Sequence, residues 1–271
     1  MSTLIPKAWP DGHFYSPIVD STQIDGGKLW PKTVTAPVGI DWRSNDQKRL
    51  IEDLIVDVSK YDYPDHASDP HQFASWNGAF EWMDARVFFT MLRRLQPRRV
   101  IEVGSGHSSL LLADVRRRFF PNMQITCIDP EPTEFLRAAA PTLLATRVET
   151  LPFDLFNQLE DGDLLFIDSS HVCKTGSDVN YLYLEVLPRL RLGVVVHVHD
   201  IFLPYEYPEE WVRGGVNWNE QYLLRALLIG SSMFQVLFGC AYARAFLPEE
   251  TARLLDHRAH DGGSFYMQRL G

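Results

Sequence analysis

The sequence predicts an α/β fold: a doubly wound, mostly parallel sheet of seven strands behind an N-terminal helical and irregular extension. Three observations carry that expectation. From residue 98 onward, short continuously apolar runs alternate with helix-forming segments, as in a parallel sheet covered on both faces. The first run, Arg99-Val100-Ile101-Glu102-Val103, closes on Gly104-Ser105-Gly106 and passes directly into a helix-forming stretch. Two final runs near the C-terminus, 234–240 and 264–269, form a strand pair, with the last strand antiparallel.

The remaining elements follow in chain order. The first forty residues are rich in Pro, Gly and aromatics and read as an irregular arm; its His13 and Tyr15 are candidates to close a pocket. Residues 46–59 place Leu50, Leu54 and Val58 on one helical stripe, and residues 77–95 form a second helix ending before Pro97. Residues 1–96 are therefore expected to be an extension and lid, too sparse in apolar residues for their own core, and 97–271 the main domain. Strands are expected at 99–103, 124–128, 146–148, 163–167 and 194–198, with helices at 108–118, 133–139, 155–159, 178–190 and 219–229.

Composition narrows the function. The formal net charge is −9, and no basic stretch is long enough for a nucleic-acid groove; Arg116-Arg117-Arg118 suits the C-terminal end of a helix. A small neutral or cationic substrate fits this balance better than a polyanion. Cys127, Cys173 and Cys240 are odd in number and widely spaced, so free thiols in a reducing compartment are expected. With no signal-like or spanning apolar segment, the expectation is a cytoplasmic protein with no membrane partner and no nucleic acid. The aromatic arm leaves room for a homo-oligomer.

The glycine turn names the ligand class. A buried strand feeding a tight turn and a helix N-terminus presents free N–H groups to a ligand. The third spaced glycine of a dinucleotide site is absent. Glu102, at the tip of the strand, suits a cationic amino group and would repel a pyrophosphate. Asp129, followed by Pro130, ends the second strand where an acid can accept ribose hydroxyls.

These residues resemble the motifs of class I S-adenosylmethionine-dependent methyltransferases, and most closely the bacterial small-molecule "methyltransferase domain 24" kind. Residues 100–106 resemble the first motif, Ile128-Asp129-Pro130 the second and Leu165-Phe166-Ile167-Asp168-Ser169-Ser170-His171 the fourth, with Val194 to Asp200 as the next strand end. The likeness spans roughly residues 77–245. It implies a Rossmann-like sheet of order 3-2-1-4-5-7-6. It also implies S-adenosylmethionine as cofactor, with Glu102, Gly104 and Gly106 on the methionine side, Asp129 on the ribose, and Val148 with Glu149 beside the adenine. Ser105 and His107 would add backbone contacts or a wall.

Asp168 and Asp200 end the two strands beside the first, so they are expected to face one cleft together with His171 and His199. Histidine suits a base for a hydroxyl acceptor near neutral pH, so His171 or His199 is expected to take the proton. Asp168 would orient the acceptor or the sulfonium, and Asp200 a histidine. His197, mid-strand, reads as a core residue. Metal-dependent, catechol-type relatives carry an Asp–Asn pair where this chain has Asp200-Ile201. A divalent metal is therefore possible but not the favoured reading. The aromatic segment 202–218 is expected to wall the acceptor pocket; Asn217 and Asn219 are candidate helix caps, and Glu220, Gln221, Asn77 and Asp84 candidate pocket residues. The expected function is methyl transfer to a small-molecule hydroxyl. The alternatives are a metal-assisted or other non-methyltransfer enzyme using Asp168, His171, His199 and Asp200, or a non-enzymatic binding protein.

Overall fold

The computed structural model describes residues 7–271. A long arm containing α1 (Gly26–Leu29) leads into α2 (Ser44–Val58) and α3 (Trp82–Leu95). Then follow β1 (Arg99–Val103), α4 (His107–Phe119), β2 (Gln124–Ile128), α5 (Glu134–Ala139), β3 (Leu143–Leu144), β4 (Leu164–Ile167), α6 (Asp178–Tyr181) and β5 (Val195–Val198). The chain closes with α7 (Glu209–Arg213), α8 (Glu220–Leu228), β6 (Phe234–Gly239), α9 (Cys240–Phe246), α10 (Pro248–Leu254) and β7 (Phe265–Arg269). The seven strands form one sheet in the order β3-β2-β1-β4-β5-β7-β6, with β7 antiparallel to both neighbours, as expected.

Alternation along each strand divides the core in two, because successive side chains leave opposite faces. Val100, Ile125, Cys127, Leu164, Phe166 and Val195 pack toward α2, α3 and α4. Ile101, Val103, Leu165, Ile167, Val196 and Val198 pack against the other layer, which includes Leu182, Val186 and Leu224. Helix α3 is buried nearly all round, from Trp82 to Leu92, because it lies between α2 and α4. The N-terminal helices thus share the core of the sheet.

Several elements differ from the sequence-based expectation. The third strand is Leu143–Leu144, not 146–148; Val148–Thr150 is a 3₁₀ turn, since only Cys127 and Ile128 offer β3 a partner. The helix expected at 155–159 is instead a 3₁₀ segment, Phe153–Gln158, with Leu159 just beyond its end. The helix expected at 178–190 is a single α turn, then a π segment, Leu182–Val186, then a 3₁₀ turn containing Pro188. The helix expected from residue 77 starts at Trp82, because Asn77 instead closes a turn: its Oδ1 accepts from Ala79 N and Phe80 N. The pair α9–α10, between β6 and β7, has no counterpart in the expectation.

Candidate functional site

At the glycine turn, β1 meets β4 so closely that nothing larger fits. Gly104 has φ +75°, and a Cβ there would lie 1.7 Å from the carbonyl oxygen of Asp168. Glycine alone accepts both the dihedral and the contact. A Cβ on Gly106 would meet nothing within 4 Å, so the space in front of the turn is open. A cavity of about 340 Å³ occupies this region, bordered by Gly104, Asp129, Pro130, Glu149, Asp168 and Ser169. Five carboxylates border it, Asp129, Glu131, Glu149, Asp168 and Asp178, against Arg147 and Lys174. That balance suits a cationic ligand over a pyrophosphate.

Asp129 is fixed before any ligand arrives. Its Oδ2 accepts from Ser105 N at 3.1 Å and its Oδ1 from Glu131 N at 2.7 Å, leaving each oxygen a further lone pair. Glu149 borders the cavity but pairs with Arg147 at 2.5 Å. Two hydroxyls at this site, Ser105 Oγ and Ser169 Oγ, are buried without a protein partner. The His107 ring is tilted onto Phe135, 5.5 Å between centroids, and is not among the residues bordering the cavity.

Glu102 does not border the cavity either. It lies fully buried beneath the turn, accepting from Ser108 Oγ at 2.8 Å, from Ser109 Oγ, and from Cys127 Sγ at 3.4 Å. Ser109 Oγ in turn accepts from Gly106 N at 3.1 Å, so the carboxyl braces the turn through one hydroxyl. Burial outweighs these bonds and pushes the Glu102 pKa up to about 7.

At the ends of β4 and β5 the chain gathers carboxylates around two imidazoles. His171 Nε2 stands 3.3 Å from Asp168 Oδ1 and 3.5 Å from Asp200 Oδ2, while its Nδ1 pairs with Glu220 Oε2 at 2.8 Å. His199 Nδ1 stands 3.4 Å from Asp168 Oδ1 and 3.6 Å from Asp200 Oδ2, and its Nε2 3.5 Å from Asp84 Oδ2. These are ion-pair separations, and neither ring nitrogen of His199 has a hydrogen-bond partner. Burial would lower both histidine pKa values, but the carboxylates win: His171 rises to about 10, and His199 rises well above its usual range. Burial would raise Asp168, yet His199 and His171 hold it well below the ordinary carboxylate range. One donor atom from each of Asp168, His199 and Asp200 lies within 4.8 Å of the others, a spacing that would hold a metal ion.

The backbone is bent to build this cluster. His171 and Asp200 both have φ +57°, a conformation costing about 1–3 kcal/mol for a non-glycine residue. The His171 carbonyl is held by Asn219 N at 3.0 Å and Glu220 N at 3.2 Å, locking that loop onto the start of α8. Gly263 lets the chain pass Asp200 closely: a Cβ on it would lie 2.9 Å from the Asp200 Cα.

A second cavity of about 480 Å³ opens beyond the cluster, bordered by Asp84, His199, Asp200, Phe202, Tyr205 and Trp211 among others. The expected aromatic segment 202–218 thus supplies part of its wall. Asp84 is where the sequence suggested, fixed by Gly263 N at 3.1 Å and Ser264 N at 2.7 Å.

Other suggestions are corrected. His13 stacks with Trp9 and Phe14, Tyr15 packs against both at an angle, and neither residue borders either cavity. Asn77 serves its own turn. The Asn219 side chain does not cap α8 but binds Cys173, and Asn217 receives Val19 N from the arm. Gln221 ties down Phe202 N and Glu206 instead of facing the cleft, whereas Glu220 does reach the cluster through His171. His197, by contrast, is the core residue expected, between the Phe166 and Tyr266 rings, with Nε2 2.9 Å from Ser264 Oγ. Sequence reasoning missed Gly263, Lys174 and Arg147; only the Gly262-Gly263 pair before the last strand offered a signal.

The strand order, the glycine turn after β1 and the acid ending β2 together define the class I S-adenosylmethionine-dependent methyltransferase fold. Within it, residues 101–201 match the methyltransferase domain family Methyltransf_24. An uncharacterised protein from Archaeoglobus fulgidus is 29% identical over 168 residues, covering 58% of this chain and 76% of its own. Among solved structures, the S-adenosylhomocysteine-bound methyltransferase PaMTH1 from Podospora anserina is 16% identical, with a TM-score of 0.45, over 88% of this chain and 100% of that one. An O-methyltransferase from Bacillus cereus, also with S-adenosylhomocysteine, is 15% identical, with a TM-score of 0.38, over 85% and 98%. No helix among the described residues is long and apolar enough to cross a membrane.

Proposed function

We propose that this protein transfers a methyl group from S-adenosylmethionine to a small-molecule acceptor, with a hydroxyl oxygen as the accepting atom. One observation carries the reading: two cavities are bordered by adjacent members of the acid–imidazole cluster. Asp168 borders the first and His199 the second, 3.4 Å apart. The first has Gly104 of the glycine turn, the pre-oriented Asp129 and the unpartnered Ser169 hydroxyl that a nucleoside with an amino-acid tail would use.

S-Adenosylmethionine, when bound, supplies a methyl already activated on a sulfonium. The chain's task is then alignment, which can supply several kcal/mol of the barrier. Asp129 would hold the ribose, Glu149 would border the adenine, and Gly104 with Gly106 would let the methionine portion lie against the turn. Glu102 would act through Ser109, by holding the turn's shape, instead of touching the cofactor. At the acceptor end His199 borders the second cavity and, held protonated by Asp84, Asp168 and Asp200, would donate to and orient the acceptor oxygen, leaving Asp200, which borders the same cavity, to take the hydroxyl proton. His171, clamped by Glu220, would position Asp168 and Asp200 from behind.

A second reading of the same cluster is favoured by its donor set. Asp168, His199 and Asp200 would hold a divalent cation, with His199 standing in where Ile201 gives no ligand. Such an ion would lower the pKa of an acceptor hydroxyl, and His199 would then be a neutral ligand and not a donor to the acceptor.

Calorimetric titration with S-adenosylhomocysteine tests the cofactor assignment. Micromolar binding is expected, weakened at least tenfold in Asp129→Asn with an unchanged melting temperature; a wild-type protein that does not bind overturns the reading. Turnover, followed as S-adenosylhomocysteine release across hydroxylated acceptors, separates the two versions of the chemistry. Loss with EDTA and recovery with Mg²⁺ or Mn²⁺ supports the cation, and indifference to EDTA leaves Asp200 and His199 to handle the proton.

A further inference from the structure

We propose that the second cavity selects an amine-bearing ring as the methyl acceptor and rejects acidic ones; this rests on the reading of that cavity as the acceptor site. Its wall is aromatic on one side, where Phe202 and Trp211 stand edge to face with centroids 5.4 Å apart. A flat or puckered ring can lie against this aromatic wall, and a cation gains there from the ring quadrupoles.

The acids among the bordering residues decide the charge. Glu81, Asp84, Asp200, Glu206, Glu210 and Asp261 all border the cavity. The cationic groups among the bordering residues are already engaged. Arg244 pairs with Asp261 and lies over the Tyr205 ring at 5.5 Å, and His260 stands 3.3 Å from Glu81. Glu206 spends Oε1 on Tyr207 N, Gln221 Nε2 and Tyr222 Oη. Glu210, exposed at the mouth on α7, has no side-chain partner among the described hydrogen bonds and ion pairs.

A cluster of acids alone says little, since such groups are often merely solvated. The independent sign of a ligand is His199: it borders the cavity, is almost completely buried, and neither ring nitrogen has a hydrogen-bond partner. Its flanking groups Asp84, Asp168 and Asp200 are all carboxylates, so it offers an anion no net positive field. An acceptor that satisfies His199 through a hydroxyl and Glu210 through an ammonium would fit the cavity at both ends. A carboxylate or phosphate in the same place would face repulsion with no free cation to offset it.

The test uses three probes of nearly equal shape: phenethylamine, 2-phenylethanol and phenylacetate. Each is titrated by ligand-observed NMR into the 271-residue chain saturated with S-adenosylhomocysteine, with EDTA present so that phenylacetate gains nothing from a metal. The expected order is amine, then alcohol, then acid, with at least a tenfold span in Kd. Glu210→Gln is expected to weaken the amine about threefold and leave the alcohol unchanged; Trp211→Ala should weaken both. Phenylacetate binding as tightly as phenethylamine overturns the proposal, as does an amine affinity indifferent to both variants. The saturating titration itself reports on the first cavity, so a protein that binds S-adenosylhomocysteine but does not discriminate among the probes defeats this inference and leaves the methyltransferase reading standing.

Discussion

Glu102 and Asp168 are carboxylates on neighbouring strands, close to the same sheet end, yet they are held in opposite ways. Glu102 meets only neutral donors, two serine hydroxyls and a thiol, and burial raises its pKa to about 7. Asp168 meets two imidazoles, and its pKa falls despite burial. Burial alone therefore does not set the charge of an interior acid; the chemistry of its partners does. The glycine turn is braced by a group that can be neutral, whereas the cluster at β4 and β5 is built from ions. One end is fitted for shape, the other for charge.

The largest effect is expected where shape is at stake. Gly104→Ala puts a methyl where the Asp168 carbonyl already is and forces alanine into a left-handed dihedral. The change should cost about 3 kcal/mol or more, and should abolish S-adenosylhomocysteine binding even where the protein still folds. Thermal melting and calorimetry on the same sample check both parts. A variant that keeps wild-type affinity would show that the turn tolerates separation from β4.

On the charged side, Asp168→Asn and Asp200→Asn should each lower turnover about 100-fold or more, since each removes a charge that aligns or activates the acceptor. They should differ in binding. Asp168 borders the first cavity and Asp200 the second. S-Adenosylhomocysteine affinity should therefore fall for Asp168→Asn and hold for Asp200→Asn. Equal losses in both would mean that the cluster acts as one structural unit and that the division between cavities has no functional weight.

The sheet was legible because its signals are local. Runs such as Leu164-Leu165-Phe166-Ile167 are apolar at every position, and both the glycine turn and Asp129 sit where strands must end. The elements that misled are those whose form depends on remote partners. Residues 146–148 read as a strand from their own propensities, but β2 offers pairing only as far as Ile128, opposite Leu144. Asn219 has the right residue type and position for a helix cap, yet Cys173 N competes for its side chain from 46 residues away. Asp168, His171, His199 and Asp200 could be listed as strand-end residues from the sequence. Their convergence with Asp84 and Glu220 could not, because it depends on left-handed backbone at His171 and Asp200 and on the close passage of Gly263.

The contrast between the two acids also has a smaller consequence, in stability. In the folded protein Glu102 titrates near pH 7, above the ordinary range of a glutamate in an unfolded chain. Between those two values the folded state keeps a proton that the unfolded state has released, so stability must fall as pH rises through that window and stay lower above it. The loss attributable to this residue is about 3 kcal/mol. Glu102→Gln keeps an acceptor for the serine hydroxyls and removes the charge, so its stability relative to wild type should improve from pH 5 to pH 8. Urea denaturation at both pH values measures this directly. If the two proteins respond to pH in parallel, Glu102 is ionised throughout, and the hydroxyls of Ser108 and Ser109 are stronger partners than their neutrality suggests.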